Sequence, residues 1–172
     1  GYKYCMRKQC DGIVLLHSDA QYAPEYLKKF IDFILVEKID VVQGSRMLVP
    51  KDAIRGGMPL YKYILNKVIT ALENFIFNTK YSEFHSGYVG YSSNALKKIA
   101  FEKLSNTFHF DGEMLIMTKL NKLSFKSFPI ETHYGKESSS LNPISYGFQI
   151  VFVIVKFIFN FYNMKADENR FN

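Results

Sequence analysis

A short apolar run that stops at a cluster of polar residues sets the strongest constraint on the fold. Residues 13–16 (IVLL) follow a glycine and give way to HSDAQ at residues 17–21. A wholly apolar run of this length is typical of a central strand that is covered on both faces. The polar residues that follow this run therefore mark the point where a buried strand reaches the edge of a sheet.

A helix and a second strand candidate follow this run. Pro24 is suited to the first turn of a helix, and the apolar stripe of that helix consists of Leu27, Phe30, Ile31 and Ile34. Residues 39–43 (IDVVQ) are the next strand candidate. The order strand, helix, strand indicates a right-handed βαβ unit in a parallel sheet, so the predicted fold class is α/β.

Polar residues also follow the second strand candidate, where Gly44, Ser45 and Arg46 stand. In open α/β sheets, ligands bind beyond the carboxyl ends of the strands. We therefore expect these residues and the HSDAQ cluster to lie side by side and to form a ligand site.

The sequence pattern in the middle of the chain predicts three more helices and two more strands. Residues 49–57 contain proline and paired glycines and are predicted to be a loop. Residues 81–93 read as a turn that leads into a short strand, and residues 123–134 read as a strand that Pro129 pushes toward an edge or an end. Helices are predicted from Met58 to about Phe77, after a cap at Ser92 or Ser93, and over residues 108–120.

Residues 146–162 form an unusually apolar stretch whose strongly polar side chains are Gln149, Lys156 and Asn160. Lys156 lies near its middle and the stretch is short for a bilayer, so a membrane span is the least favoured interpretation. An interfacial helix and a helix docked on the core or on a second subunit remain equally open. We therefore divide the chain into a domain over residues 1–143, a helix over residues 144–163 and a polar tail over residues 164–172.

Composition indicates one folded domain. The 172 residues are 48% hydrophobic and 16% aromatic, which is too apolar for a disordered chain. The net charge of +6 comes from scattered lysines, so it indicates affinity for phosphates or an anionic surface only weakly, and no groove-reading motif supports a nucleic-acid partner. Cys5 and Cys10 match neither a zinc nor a redox spacing, which favours reduced thiols in a cytoplasmic chain.

Asp19 and Gln21 stand two residues apart just past the first strand. If the backbone stays extended, both side chains point the same way, and a carboxylate with an amide oxygen suits Mg²⁺ or Mn²⁺. The alternative is that Asp19 caps the turn before Pro24, which is a common use of aspartate. Ser45 and Arg46 are suited to orient a diphosphate, although an arginine at a strand end is as often a salt-bridge partner.

The four histidines are His17, His85, His109 and His133. None has a histidine partner at helical spacing, so a zinc site would require the fold to bring them together. The favoured interpretation is that each is a hydrogen-bonding residue that lines a polar cleft.

Six segments, taken in their order, resemble a known family. They are HSDAQYAPE, VVQGSRM, RGGMPLYKY, SEFHSGYVGYS, FHFDGEM and FPIETHYG. Over residues 10–146 the chain resembles the later part of the family-two glycosyltransferases, in the branch of dolichol-phosphate mannose synthases and polyprenyl-phosphate glycosyltransferases. The resemblance implies a GT-A fold without its first strands, and inverting sugar transfer from a GDP- or UDP-sugar with a divalent cation.

The resemblance also assigns roles to individual positions. The metal ligands would be Asp19 and Gln21, the donor phosphates would be bound by Ser18, Asp19, Ser45 and Arg46, and the acceptor side would be formed by His85, Ser86, Gly87, Tyr88 and Lys136. A lipid-phosphate acceptor is already ionised and needs no general base, whereas a hydroxyl acceptor needs a carboxylate to take its proton. The candidates for that carboxylate are Glu83, Asp111 and Glu113, and the sequence leaves the choice open.

Three departures from the family pattern support a second hypothesis. His17 stands where the family has the first aspartate of its metal-binding stretch, Val89 stands where an arginine follows the SGF motif, and the first base-binding strand has no counterpart. The chain opens without methionine, so we expect residues to precede it. The alternative function is therefore an inactive, truncated relative that acts as a binding or scaffold module. Either form is expected to be cytoplasmic and peripheral on the inner face of the membrane, with self-association left open.

Overall fold

A computed structural model describes residues 1–18, 21–107, 109–132, 143–167 and 170–171, with the backbone alone for residues 143–145. The chain is a mixed α/β protein in which a four-stranded sheet is flanked by helices. The α/β class predicted from the sequence is thereby confirmed.

The sheet has the strand order β1-β3-β2-β4. Its strands are β1 (Gly12–Val14), β2 (Val41–Ser45), β3 (Val89–Ser92) and β4 (Phe125–Pro129). β2 and β4 are parallel, whereas β3 is antiparallel to both β1 and β2. β4 lies at the edge and ends at Pro129, as the sequence predicted, because proline donates no ladder hydrogen bond.

Two predictions for the first strand were wrong. β1 is an edge strand with half-buried residues rather than a central strand, and the parallel βαβ pair is interrupted because antiparallel β3 lies between β1 and β2. β1 and β2 nevertheless run the same way, since each is antiparallel to β3. Their carboxyl ends and the start of β3 therefore meet at one edge of the sheet. Val89 and Tyr91 of the inserted strand are fully buried.

Seven helices in the described part of the chain surround the sheet: α1 (Tyr2–Arg7), α2 (Leu27–Ile31), α3 (Pro50–Arg55), α4 (Leu60–Phe77), α5 (Ser93–Lys98), α6 (Phe110–Leu120) and α7 (Pro143–Ile158). A 3-10 turn precedes α2 and a π-helical turn over Asp32–Val36 continues it. The loop predicted for residues 49–57 was wrong, because Pro50 occupies the first turn of α3, where its missing N–H costs nothing.

The core packs on both faces of the sheet. On one face, Phe30 and Ile34 of the α2 region are buried against β3, while Ile31, which the sequence placed on the same stripe, is half exposed. On the other face, α6 is the most buried helix, and its residues from Met114 to Met117 are almost completely covered. Cys5 and Cys10 are free thiols, which agrees with the prediction.

α4 and α7 each carry a group of exposed apolar side chains. On α4 most of the apolar side chains at helical spacing face outward, because the helix buries Thr70, Glu73 and Phe77 instead; the exposed ones are Tyr61, Ile64, Leu65, Val68, Leu72 and Phe75. On α7, Ile150 and Val153 are buried, and Phe148, Val151, Phe152, Val155 and Ile158 are exposed. Within the described residues, no helix combines the length and the apolar character that a membrane span requires.

The predicted boundary of the C-terminal helix also changes. The sequence predicted a helix over residues 144–163, but α7 ends at Ile158 and turns follow it. The segment predicted as a free polar tail is partly tied to the domain, since Arg170 pairs with Glu102 at 2.6 Å and donates to the carbonyl oxygens of Leu96 and Ile99.

We predict that Gly90→Ala destabilises the protein. A Cβ at this position would stand 2.9 Å from side-chain atoms of both Phe30 and Ile34. Overpacking of this kind costs about 1–3 kcal/mol, which thermal unfolding would measure as a lower Tm. Gly147→Ala on α7 is the control, because no atom lies within 4 Å of its Cβ position. An unchanged Tm for Gly90→Ala would contradict the tight packing of α2 on β3.

Candidate active site at the carboxyl edge of the sheet

The carboxyl edge of the sheet collects residues from four parts of the chain. His17 and Ser18 follow β1, Arg46 follows β2, and residues 83–88 lead into β3. The first turn of α6 adds acidic residues to the same region, because Asp111 approaches Gly87. The sequence therefore predicted correctly that His17 and Ser18 share an edge with the GSR residues, although a strand separates them.

A buried ion pair between Arg46 and Glu83 joins β2 to the segment before β3. Glu83 is fully buried, and its Oε2 accepts hydrogen bonds from Arg46 Nη2 at 2.8 Å and Nε at 3.3 Å. Its Oε1 accepts from the backbone N–H of Arg46 at 2.7 Å and from Ser45 Oγ at 3.1 Å. Arg46 Nη2 also donates to the carbonyl oxygen of His85 at 2.7 Å. The carboxylate is thus saturated by donors, which suits it to hold Arg46 in place rather than to accept a proton from substrate.

Gly87 is the point where His17 and Asp111 meet. A Cβ at Gly87 would stand 2.6 Å from His17 Nε2 and 3.4 Å from Asp111 Oδ2. The His17 ring also packs edge-on against Tyr22, with ring centroids 5.6 Å apart. Only glycine leaves room for an imidazole and a carboxylate to converge here, so the SGY stretch has a steric role in the site.

The two acidic residues of α6 point to different surroundings. Burial raises the pKa of Asp111, and the electrostatic interaction with His17 opposes this shift. Asp111 Oδ1 is buried and has no hydrogen-bond partner among the described residues. Glu113 is also buried, but it accepts hydrogen bonds from Lys156 Nζ and Tyr162 Oη, both at 2.6 Å, and from the N–H of Ser105 at 2.7 Å.

Those contacts decide the protonation state of Glu113. Burial raises its pKa, but the hydrogen bonds from Lys156, Ser105 and Tyr162 outweigh burial, so the pKa of Glu113 lies below its usual value. Glu113 is therefore a charged group that connects α6 to α7 and to the turn that follows α7. Of the three carboxylates considered from the sequence, Asp111 is the one with an unengaged buried oxygen at the sheet edge.

The other residues assigned to the acceptor side position the backbone. Ser86 is buried, and its Oγ donates to the carbonyl oxygen of Gly44 at 2.6 Å. Tyr88 is buried between the rings of Phe30 and Tyr22, and its hydroxyl donates to the carbonyl oxygen of Ala23 at 3.2 Å. These contacts fix the course of the chain around Gly87.

His85 and His109 form a second cluster with Glu73 that the sequence did not predict. His85 Nε2 lies 3.1 Å from Glu73 Oε2, and His85 Nδ1 lies 2.6 Å from Tyr146 Oη. Burial lowers the pKa of His109 to about 4, and neither of its ring nitrogens has a hydrogen-bond partner in the described structure. The interpretation of His109 as a hydrogen-bonding residue was therefore wrong, and no sequence spacing could have joined residues this far apart.

Several predicted positions remain predictions. Asp19, His133 and Lys136 lie outside the described residues, so the Asp19–Gln21 metal pair is untested. Ser18 is exposed and Gln21 is half-buried. Val89 is fully buried in the core, so its position cannot supply the phosphate contact that an arginine would make.

Comparison with known proteins supports a relationship to glycosyltransferases. The chain is 30% identical over 145 residues to the uncharacterised protein MJ1222 of Methanocaldococcus jannaschii. The matched stretch covers 83% of the chain and 58% of that relative. It is 28% identical over 153 residues to a UDP-N-acetylglucosamine–dolichyl-phosphate N-acetylglucosaminyltransferase of Methanococcus voltae. This matched stretch covers 88% of the chain and 60% of that relative. The chain thus spans less than two thirds of the length of these relatives. No protein-family model matches it.

We predict that Arg46→Met strongly destabilises the protein. The variant leaves Glu83, which is 0% exposed, without its ion-pair partner, and breaking a buried pair costs about 3–5 kcal/mol. Lys126→Met is the matched control, because the Lys126–Glu37 pair is exposed and such pairs contribute at most about 1 kcal/mol. Urea unfolding would measure the free energy of unfolding of both variants. Equal effects would show that the Arg46–Glu83 pair does not organise this edge.

Proposed function

We propose that the protein is an inverting glycosyltransferase that moves a sugar from a nucleotide-sugar donor to a polyprenyl phosphate. The observation that carries the proposal is the convergence of Arg46, His17, Gly87 and Asp111 at the carboxyl edge of the sheet. This is where an α/β sheet binds its ligands. The similarity to the UDP-N-acetylglucosamine–dolichyl-phosphate N-acetylglucosaminyltransferase of Methanococcus voltae supports a UDP-sugar over a GDP-sugar.

Arg46 has the main electrostatic role among the described residues. In direct displacement at the anomeric carbon, negative charge develops on the departing nucleoside diphosphate, and fixed donors that face this charge stabilise the transition state. Glu83 holds the guanidinium by two of its nitrogens, so Arg46 loses little freedom when it meets the diphosphate.

A divalent cation at this edge is part of the proposal. Asp111 Oδ1 is buried without a partner in the described structure, and an acceptor oxygen that a cation would satisfy supports it. Asp19 and Gln21 would hold Mg²⁺ or Mn²⁺, which would offset charge on the diphosphate. His17 in place of a carboxylate lowers the negative charge around the ion, and we expect weaker metal affinity than an all-carboxylate site would have.

Asp111 is our candidate for a general base if the acceptor is a hydroxyl. Its raised pKa brings it closer to the range in which a carboxylate accepts a proton efficiently. A polyprenyl phosphate needs no such base, so the requirement for Asp111 distinguishes the two acceptor classes.

The exposed apolar faces of α4 and α7 support docking on a membrane surface, where a lipid acceptor resides. The two helices adjoin, since Phe77 of α4 packs against Phe157 of α7 with centroids 4.9 Å apart. Phe75 on α4 is 85% exposed and Phe148 on α7 is 72% exposed. Exposed faces this apolar mark interaction surfaces, and we propose that the occupant is the lipid bilayer.

We predict saturable binding of a UDP-sugar that depends on Mn²⁺ and on Asp19. Isothermal titration of the complete gene product with UDP-N-acetylglucosamine should give heat with Mn²⁺, and Asp19→Ala should weaken binding at least tenfold, which corresponds to about 1.4 kcal/mol for a lost charged ligand. GDP-mannose tests the other nucleotide. The absence of saturable heat with either sugar would support the inactive scaffold instead.

Asp111→Asn is the matched variant for this experiment, because it removes the charge at nearly constant size. It should retain the heat of donor binding, because the asparagine keeps an acceptor oxygen. If it also retains sugar transfer to a polyprenyl phosphate, no general base operates there. If the wild type transfers sugar to a polyprenyl phosphate and this variant does not, with donor binding intact, Asp111 takes part in the chemical step and transfer without a general base is contradicted.

We predict that the protein co-sediments with vesicles of phosphatidylcholine and phosphatidylglycerol. Phe75→Glu and Phe148→Glu should each lower the partition coefficient onto the vesicles at least tenfold, because the transfer of one phenylalanine from water contributes about 1.5–3 kcal/mol. Val36→Glu is the control, since Val36 is equally exposed at 75% but lies next to α2. Wild-type protein that stays in the supernatant as a dimer would show that a second copy covers these faces.

A further inference from the structure

Three buried side chains from separate parts of the chain converge beside the proposed active site. Glu73 comes from α4, His85 from the segment before β3, and His109 from the residue before α6. Glu73 is 1% exposed, His109 is 2% exposed, and the side chain of His85 is 10% exposed. One ligand atom from each lies within 4.8 Å of the others. We call these three residues the Glu73–His85–His109 cluster.

Four polar atoms of this cluster have no hydrogen bond within the described structure. Glu73 Oε2 and His85 Nε2 are close, but neither makes a well-aligned hydrogen bond, and both ring nitrogens of His109 are unpaired in the described part of the chain. Each buried polar group without a partner costs about 1–3 kcal/mol. Three of these atoms, one from each residue, lie within 4.8 Å of one another, which indicates one ligand that satisfies all three.

The chemistry of these atoms selects the kind of ligand. We infer that the Glu73–His85–His109 cluster binds a transition-metal dication of the zinc class. Two imidazole nitrogens and one carboxylate oxygen are a donor set that Zn²⁺ favours, whereas Mg²⁺ and Ca²⁺ prefer oxygen ligands alone. Three protein ligands leave a fourth position open for water.

The geometry requires a modest contraction. Ligand atoms about 2.1 Å from a tetrahedral zinc lie roughly 3.4 Å from one another. Glu73 Oε2 and His85 Nε2, at 3.1 Å, already meet this separation. The widest pair must close by at most about 1.4 Å, which rotation of the His109 and Glu73 side chains can supply.

Tyr146 of α7 provides the outer contacts that a metal site needs. Its hydroxyl lies 2.6 Å from His85 Nδ1, which leaves Nε2 of the same ring to face Glu73. Its ring stacks on His109 with centroids 4.9 Å apart and planes 9° from parallel. A hydrogen bond on the far nitrogen of a ligating histidine fixes its orientation and tautomer. The cluster therefore has its supporting contacts in place.

A metal here would join elements rather than carry out sugar transfer. It would connect α4, the segment before β3 and the start of α6, while Tyr146 brings α7 to the same point. His85 also accepts a hydrogen bond from Arg46 through its carbonyl oxygen, so the ion would stiffen the support of the candidate active site. This inference does not rest on glycosyl transfer, and either can fail without the other.

The test measures metal in the purified complete gene product. After removal of metals with a chelator, the protein is dialysed against ZnCl₂ and then against metal-free buffer, and zinc is counted by mass spectrometry. We expect about one zinc per chain, a higher Tm with zinc than without it, and an intense tetrahedral absorption spectrum with Co²⁺. Glu73→Gln and His109→Ala should each lose the bound zinc, and Tyr146→Phe should weaken affinity roughly 10–100-fold.

Glu113→Gln is the matched control, because it alters another buried carboxylate on the neighbouring helix that lies outside the cluster. It should retain the zinc even if it lowers the Tm. If His109→Ala fails to fold, the Co²⁺ spectrum of the wild type and the zinc content of the near-isosteric Glu73→Gln still decide the question. Wild-type protein without zinc or a cobalt spectrum, or variants that bind zinc as the wild type does, would overturn the inference.

Discussion

The ion pair between Arg46 and Glu83 is the interaction on which the candidate site depends. A carboxylate with 0% exposure is stable only when donors surround it, and Arg46 and Ser45 supply four such donors. The pair fastens the segment before β3 to the end of β2. Once Glu83 is held, Gly87 lies against His17 and Asp111, and the His85 ring lies against Glu73. Two clusters with different chemistry therefore share one anchor.

The parts of the fold that were predictable from sequence are those decided by local patterns. Pro129 marks β4 as an edge strand, and apolar periodicity marks α4 and α6 close to their observed ends. The insertion of β3 between β1 and β2 was not predictable, because strand order depends on tertiary packing rather than on a local pattern. Periodicity also could not tell which face of α4 turns inward. The helix buries Glu73 for its contact with His85 and leaves Phe75 in the open.

The candidate site shows the same division between local and tertiary information. Asp111 and Glu113 are two residues apart, so a helix must turn them toward different faces. The sequence alone cannot say which of them faces the sheet edge, because that depends on Lys156 and Tyr162, which arrive from far along the chain to bind Glu113. The Glu73–His85–His109 cluster is invisible in the sequence for the same reason.

The reversed direction of β3 restricts how the length of this chain can vary. Residues 83–88 are fixed at one end by the ion pair between Glu83 and Arg46, and at the other end by the pairing of Val89 with Gln43 in the sheet. An insertion or deletion between these two points would shift alternate side chains to the opposite face and break one of the two attachments. Natural length differences among related chains should therefore accumulate elsewhere, for example around α3, while this stretch keeps a constant number of residues.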